Sequence, residues 1–149
     1  MYAGEWDYKN ESQIPNMVAY ALEKIDLASV TNDQERFWVR DILWLWNHHA
    51  ITCALHRYGD VKAAREFSEK ALALMPPNHP NMITKLLHLL VHERGEEARA
   101  YASSIVSEVE RDTATVLLRE YENGTLFKVR TEKRGVCKKH MDKTTFTTI

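Results

Sequence analysis

Apolar positions along this chain recur at helical spacing through most of its length. Ile14, Met17, Val18, Ala21, Leu22 and Ile25 fall on one stripe, which predicts an amphipathic helix with Ser12 as its cap and Pro15 in the first turn. Thr31-Asn32-Asp33-Gln34 reads as a capping box for the next helix. From Asn32 to Tyr58 the chain contains no Gly or Pro, which predicts one long helix, or two with a small break near Asn47. Its middle, Phe37 to Trp46, is apolar nearly all round and should be surrounded by other elements. At Tyr58-Gly59-Asp60 the pattern turns: Gly59 supplies a left-handed cap and Asp60 a cap for the following helix. That helix carries Val61, Ala64, Phe67, Ala71, Leu74 and Met75 on one face and stops at Pro76-Pro77.

Asn78 is the expected cap of a helix through Met82, Ile83, Leu86, Leu87, Leu90 and Val91, closed by Gly95. Glu96-Glu97 then favour a further N-terminus, and Ala98, Tyr101, Ala102, Ile105 and Val109 predict a helix continuing toward Tyr121 before Asn123-Gly124. Beyond Gly124 the character changes. Thr125 to Thr131 alternates as a strand does and Val136 to Met141 could return beside it, so residues 125–149 read either as a hairpin or as a basic tail.

Within this pattern the words Tyr58-Gly59-Asp60, Ala64-Arg-Glu-Phe67-Ser-Glu-Lys-Ala71-Leu72 and the closing Pro76 resemble one tetratricopeptide repeat spanning residues 44–80. Residues 78–110 form a second, degenerate match in which Gly95 stands where Gly59 does. In such repeats small residues mark where backbones approach, so Ala64 and Ala71 would admit a partner helix and Phe67 would fill the gap between pairs. The expected fold is therefore all-α, a short helix-turn-helix array or bundle of five to six helices. The expected domains are residues 1–124 and a basic C-terminal segment, 125–149. The resemblance also implies a concave groove lined by the first helix of each pair. It places Trp46, His49, Cys53 and His56 toward that groove and Ile51 and Leu55 inward, with Arg57, Lys85 and His92 completing the partner-binding set.

Composition alters this picture little, since hydrophobic residues at 44% and charged residues at 28% are ordinary for a globular chain. The charge distribution alters it more. The net charge of −1 hides an acidic body followed by a segment after Gly124 with seven Lys and Arg against Glu132 and Asp142. Two cysteines, Cys53 and Cys137, are too few for a disulfide framework and suit a reducing compartment. The first residues lack the charged start and apolar run of a signal peptide, and no apolar run approaches the ~20 residues of a membrane span, so the expectation is a cytoplasmic protein.

The chemistry-bearing residues leave three readings. His49, Cys53 and His56 share one helical stripe, and His88 and His92 lie one turn apart, which is compatible with a zinc site between two helices or with a polar groove. His48-His49 beside Asp41 and Glu35 could assemble an acid–base site, but no nucleophile setting or Gly-rich phosphate loop accompanies them. Lys128, Arg130, Lys133, Arg134, Lys138 and Lys139, interleaved with Phe127 and His140, suit an arm on nucleic acid. The favoured expectation is a non-catalytic interaction module without cofactor, holding a peptide or helix of a protein partner in the groove, with self-association as a close variant. A nucleic-acid-associated regulator is the alternative, and a His/Cys metalloprotein or enzyme the third reading.

Overall fold

The computed structural model describes residues 7–10, 12, 14–24, 30–75 and 81–130. Among them are six α-helices and no strand: α1 (Asn16–Glu23), α2 (Asp33–Cys53), α3 (Val61–Leu74), α4 (Met82–Val91), α5 (Gly95–Ala102) and α6 (Glu108–Glu122). Over the described residues the fold is all-α, as the helical periodicity predicts. The last turn of α2 widens into a π-helical turn over Ala54–Tyr58.

The central helix is α2, and two cores divide it. Its first half puts Val39, Ile42, Leu43 and Trp46 against Val18 and Ala21 of α1. Its second half puts Ile51, Ala54 and Leu55 into a larger core with Ala64 of α3, Leu86, Leu87 and Leu90 of α4, and Leu117 of α6. An all-round apolar stretch is thus explained by neighbours on opposite sides. Ala64 and Ala71 are fully buried, with α2 and α4 both packed on α3. Ile51 and Leu55 point inward as expected.

The turn between α2 and α3 follows the sequence closely. Gly59 sits at φ 62°, its N–H bonded to the Leu55 carbonyl at 3.2 Å while the Asp60 N–H reaches Ala54 at 2.8 Å. Asp60 accepts the Ala63 N–H at 3.0 Å. A Cβ at Gly59 would stand 3.0 Å from Val129 Cγ2 and adopt left-handed backbone, whereas at Gly124 (φ 81°) it would meet nothing within 4 Å. Gly59→Ala is therefore expected to lose about 1–2 kcal/mol, and more than Gly124→Ala, in urea unfolding of the two variants.

Several boundaries differ from the pattern reading. Ser12 does not cap α1; its hydroxyl bonds Asn10 Oδ1 at 2.7 Å, and Pro15 holds the cap position without a side-chain bond. The α2 box is shifted by one, with Asn32 Oδ1 accepting the Glu35 N–H at 2.9 Å. Asn81 caps α4, receiving the N–H groups of Ile83 and Thr84 at 2.9 and 3.2 Å. Asn78 and Pro76-Pro77 lie outside the described residues.

Gly95 opens α5 rather than closing α4. The left-handed residue after α4 is Glu93, at φ 58°, where its N–H bonds Leu90 and that of Arg94 bonds Leu89, both at 2.9 Å. Arg65 steadies this strained corner, donating to the Val91 carbonyl at 2.7 Å and pairing with Glu93 at 3.1 Å. The helix expected to continue through Val109 stops at Ala102, because Ser103 and Ser104 turn their hydroxyls onto the carbonyls of Ala100 and Tyr101, each at 2.7 Å. Ser107 then caps α6, leaving Val109 75% exposed.

Over the described residues 125–130 the first strand of the hairpin reading does not form. Residues 125–130 instead form a turn that docks on the helices: Leu126 is 0% exposed within the larger core, and the Arg130 N–H bonds the His56 carbonyl at 2.8 Å. The expected return strand lies outside the described residues. No helix among the described residues is long and apolar enough to cross a membrane.

Candidate functional site

The π-helical turn assembles a polar cluster around a buried acid. In an α-helix a residue five positions on lies about 140° around the axis, so Cys53 and Tyr58 would diverge. The wider turn brings Tyr58 back toward the side carrying Cys53 and Arg57. All three then converge on Asp7, an acid 3% exposed and some fifty positions earlier in the chain. Tyr58 Oη donates to its two carboxylate oxygens at 2.7 and 2.8 Å, Arg57 Nη1 lies 3.2 Å away, and Cys53 Sγ 3.9 Å. The Lys9 N–H also donates to Asp7, at 3.0 Å, closing a local turn.

The next two residues are held as well. The Tyr8 ring meets Tyr58 and Phe67 edge-on, with centroids 5.5 and 4.8 Å apart. Lys9 Nζ stands 4.3 Å above the Tyr58 ring. The Tyr8 hydroxyl is buried with no hydrogen-bond partner among the described residues.

These contacts fix the protonation of the cluster. Burial pushes the Asp7 carboxyl up, but the hydrogen bonds from Tyr58 and Lys9 and the charge of Arg57 together outweigh it, so its pKa lies below the ordinary value. Tyr58 is pushed up to about 12 by burial and by donating to Asp7, and Tyr8 to about 12 chiefly by burial. The Cys53 thiol is also raised by burial and stays protonated near neutrality, which makes it a weak nucleophile.

Of the residues expected to share one groove, Cys53 and Arg57 come together at Asp7. Trp46, expected on the groove, is 5% exposed and fills the core between α1 and α2, because α1 covers that side of α2. His49 is half-buried with its ring 5.5 Å from His48, and its pKa is lowered by burial. His56 offers its carbonyl to Arg130, and Lys85 lies 5.8 Å over the Tyr101 ring. His92 stacks 4.5 Å from His88 and approaches Glu69 at 3.4 Å. The spacing of His49, Cys53 and His56 is a true helical stripe, but among the described residues no three His, Cys, Asp or Glu side chains come together as a metal site.

His48, read as an acid–base candidate, and His88, read with His92 as a zinc candidate, link helices in the structure. His48 Nδ1 lies 2.9 Å from Thr84 Oγ1, joining α2 to α4, and His88 Nδ1 lies 3.0 Å from Ser68 Oγ, joining α3 to α4. Ser68 also donates to the Arg65 carbonyl at 2.8 Å, so in that arrangement the His88 ring is the donor to Ser68. Ser68 is fully buried, which closes its hydroxyl to any substrate.

Of the basic residues set aside for nucleic acid, Lys128 is exposed and Arg130 forms two 2.8 Å bonds to Glu120. Lys133, Arg134, Lys138 and Lys139 lie outside the described residues. Sequence reasoning missed Asp7, Lys9 and Tyr58 as site residues. The available signal was the order Asp-Tyr-Lys near the start of the chain, which no helical period links to Tyr58. Comparison with protein-family models, curated proteins and solved structures finds no match to this chain.

Proposed function

We propose that the protein is a non-catalytic interaction module, tetratricopeptide-like in its α2–α3 hairpin, that holds a short turn-forming segment of a protein partner against the end of α2 and the face of α3. One observation carries the reading: a short stretch of backbone, residues 7–9, already lies on this surface with each side chain engaged by Arg57, Tyr58 or Phe67. The surface is thus shaped for a peptide, with a charged anchor beside aromatic side chains of the kind that dominate binding energies. The free, half-buried thiol of Cys53 in this face suits the reducing conditions of the cytoplasm.

The test is affinity capture with the tagged full chain, comparing wild type, Arg57→Glu and Lys85→Ala. Reversing the charge at the anchor should reduce partner retention at least about tenfold, since it sets a like charge beside the buried carboxylate in place of the pairing guanidinium. Lys85→Ala should retain the same partner as wild type. Equal retention by Arg57→Glu would remove this face from the binding surface.

A further inference from the structure

We infer that the partner segment this face accepts carries, in order, an aspartate, an aromatic residue and a cation, and that the chain's own Asp7-Tyr8-Lys9 is its displaceable competitor. This rests on the preceding reading and adds to it the chemistry of the partner and the means of control.

Each position has its own receptor. The acid meets a guanidinium, a phenol donor and a thiol at Arg57, Tyr58 and Cys53. Aspartate fits better than glutamate, because the bond from the N–H two residues on to Asp7 Oδ1 needs the short side chain. The aromatic slot lies between Tyr58 and Phe67, and the cation rests on the Tyr58 ring. Tyr58 therefore serves all three positions, and the π-helical turn is what places it there.

The resident segment carries a defect. Tyr8 buries its hydroxyl with no partner among the described residues, and an unsatisfied buried hydroxyl is penalised relative to a bare ring. A partner with phenylalanine at that position makes the same ring contacts without the penalty. The tether gives the resident an effective concentration of order millimolar, so a partner lacking such an advantage is excluded. Displacement is thus reserved for segments that fit the slot better than the chain's own.

The experiment uses labelled hexapeptides copying residues 5–10, one as it stands and one with Tyr8→Phe. Binding is followed by fluorescence anisotropy to the full-length chain and to its Asp7→Ala Tyr8→Ala variant. Both peptides should bind the variant, the phenylalanine peptide about tenfold more tightly. Wild type should require at least about tenfold higher peptide concentration, and adding Arg57→Ala to the variant should abolish binding. A cooperatively melting variant that binds neither peptide, or binding indifferent to Arg57→Ala, would overturn the inference.

Random heptapeptides displayed to the same variant separate this inference from the reading beneath it. Enrichment of the Asp–aromatic–cation order supports both. Enrichment of another chemistry overturns the inference alone, and no enrichment removes both. Independently of the variant's folding, Tyr8→Phe in the full chain should raise its melting temperature and weaken peptide capture. A lower melting temperature would count against the slot as described.

Discussion

Lowering the pH from 7 to 5 is expected to remove about 2 kcal/mol of folding stability through His48 alone. Burial, with a smaller effect from the neighbouring His49, pushes the His48 imidazole down from 6.5 to about 4. The folded state therefore keeps it neutral while the unfolded chain takes a proton. Above the unfolded value of 6.5 the neutral form prevails in both states and stability is full. As pH falls from 6.5 toward 4 the unfolded state gains the proton first, and stability declines. His49 and His88 are shifted in the same direction, chiefly by burial, and add to the loss. Asp7 is a depressed carboxylate, so its contribution is present above 3.8 and disappears below it, at the acid end of the same decline. Urea unfolding at pH 7 and pH 5 measures the effect. His48→Gln keeps a polar group near Thr84 without a titrating ring, and should shrink the difference between the two pH values by about 2 kcal/mol. An undiminished difference in that variant would place the acid sensitivity elsewhere.

What could be read from the sequence was local. Gly59, Asp60, Ala64 and Ala71 act where their residue types say they should, because a left-handed corner, an N-cap and close helix packing are decided within a few residues. The extension of α5 through Val109 failed for a reason also local but hidden from hydrophobic periodicity. Ser103 and Ser104 satisfy nearby carbonyls with their hydroxyls and end the helix while the apolar spacing runs on. Trp46 was misplaced because the groove geometry belongs to a repeat whose first helix is open on one side, and here α1 covers that side. The Asp7 cluster was illegible because helical spacing relates residues on one helix only. Its central acid comes from outside the helices, and its reach to Tyr58 depends on a π-helical turn that no residue pattern here announces.

The second large effect lies where the sequence suggested a boundary. Leu126→Ala is expected to destabilise the protein by about 3 kcal/mol and lower its melting temperature by about 10 °C. Leu126 follows the last helix, yet it is 0% exposed and packs in the core that also holds Leu55, Leu86, Leu90 and Leu117. Truncation removes apolar contacts on several helices at once and leaves a cavity that α4 and α6, fixed by their own packing, cannot collapse to fill. The backbone cannot readily shift either. The Leu126 N–H bonds Glu120 at 3.1 Å, and four residues on the Arg130 N–H bonds His56 at 2.8 Å. Arg130 also grips Glu120 with two 2.8 Å bonds, so the segment is pinned to α6 at one end and to the π-helical turn at the other. Val129, 42% exposed in the same segment, is the internal control: Val129→Ala should change stability by less than about 1 kcal/mol. Thermal unfolding of the two variants beside wild type decides the matter. Equal and small losses would mean that residues 125–130 do not dock on the helices, whereas a large loss confined to Leu126 ties this segment to the turn that carries Arg57 and Tyr58.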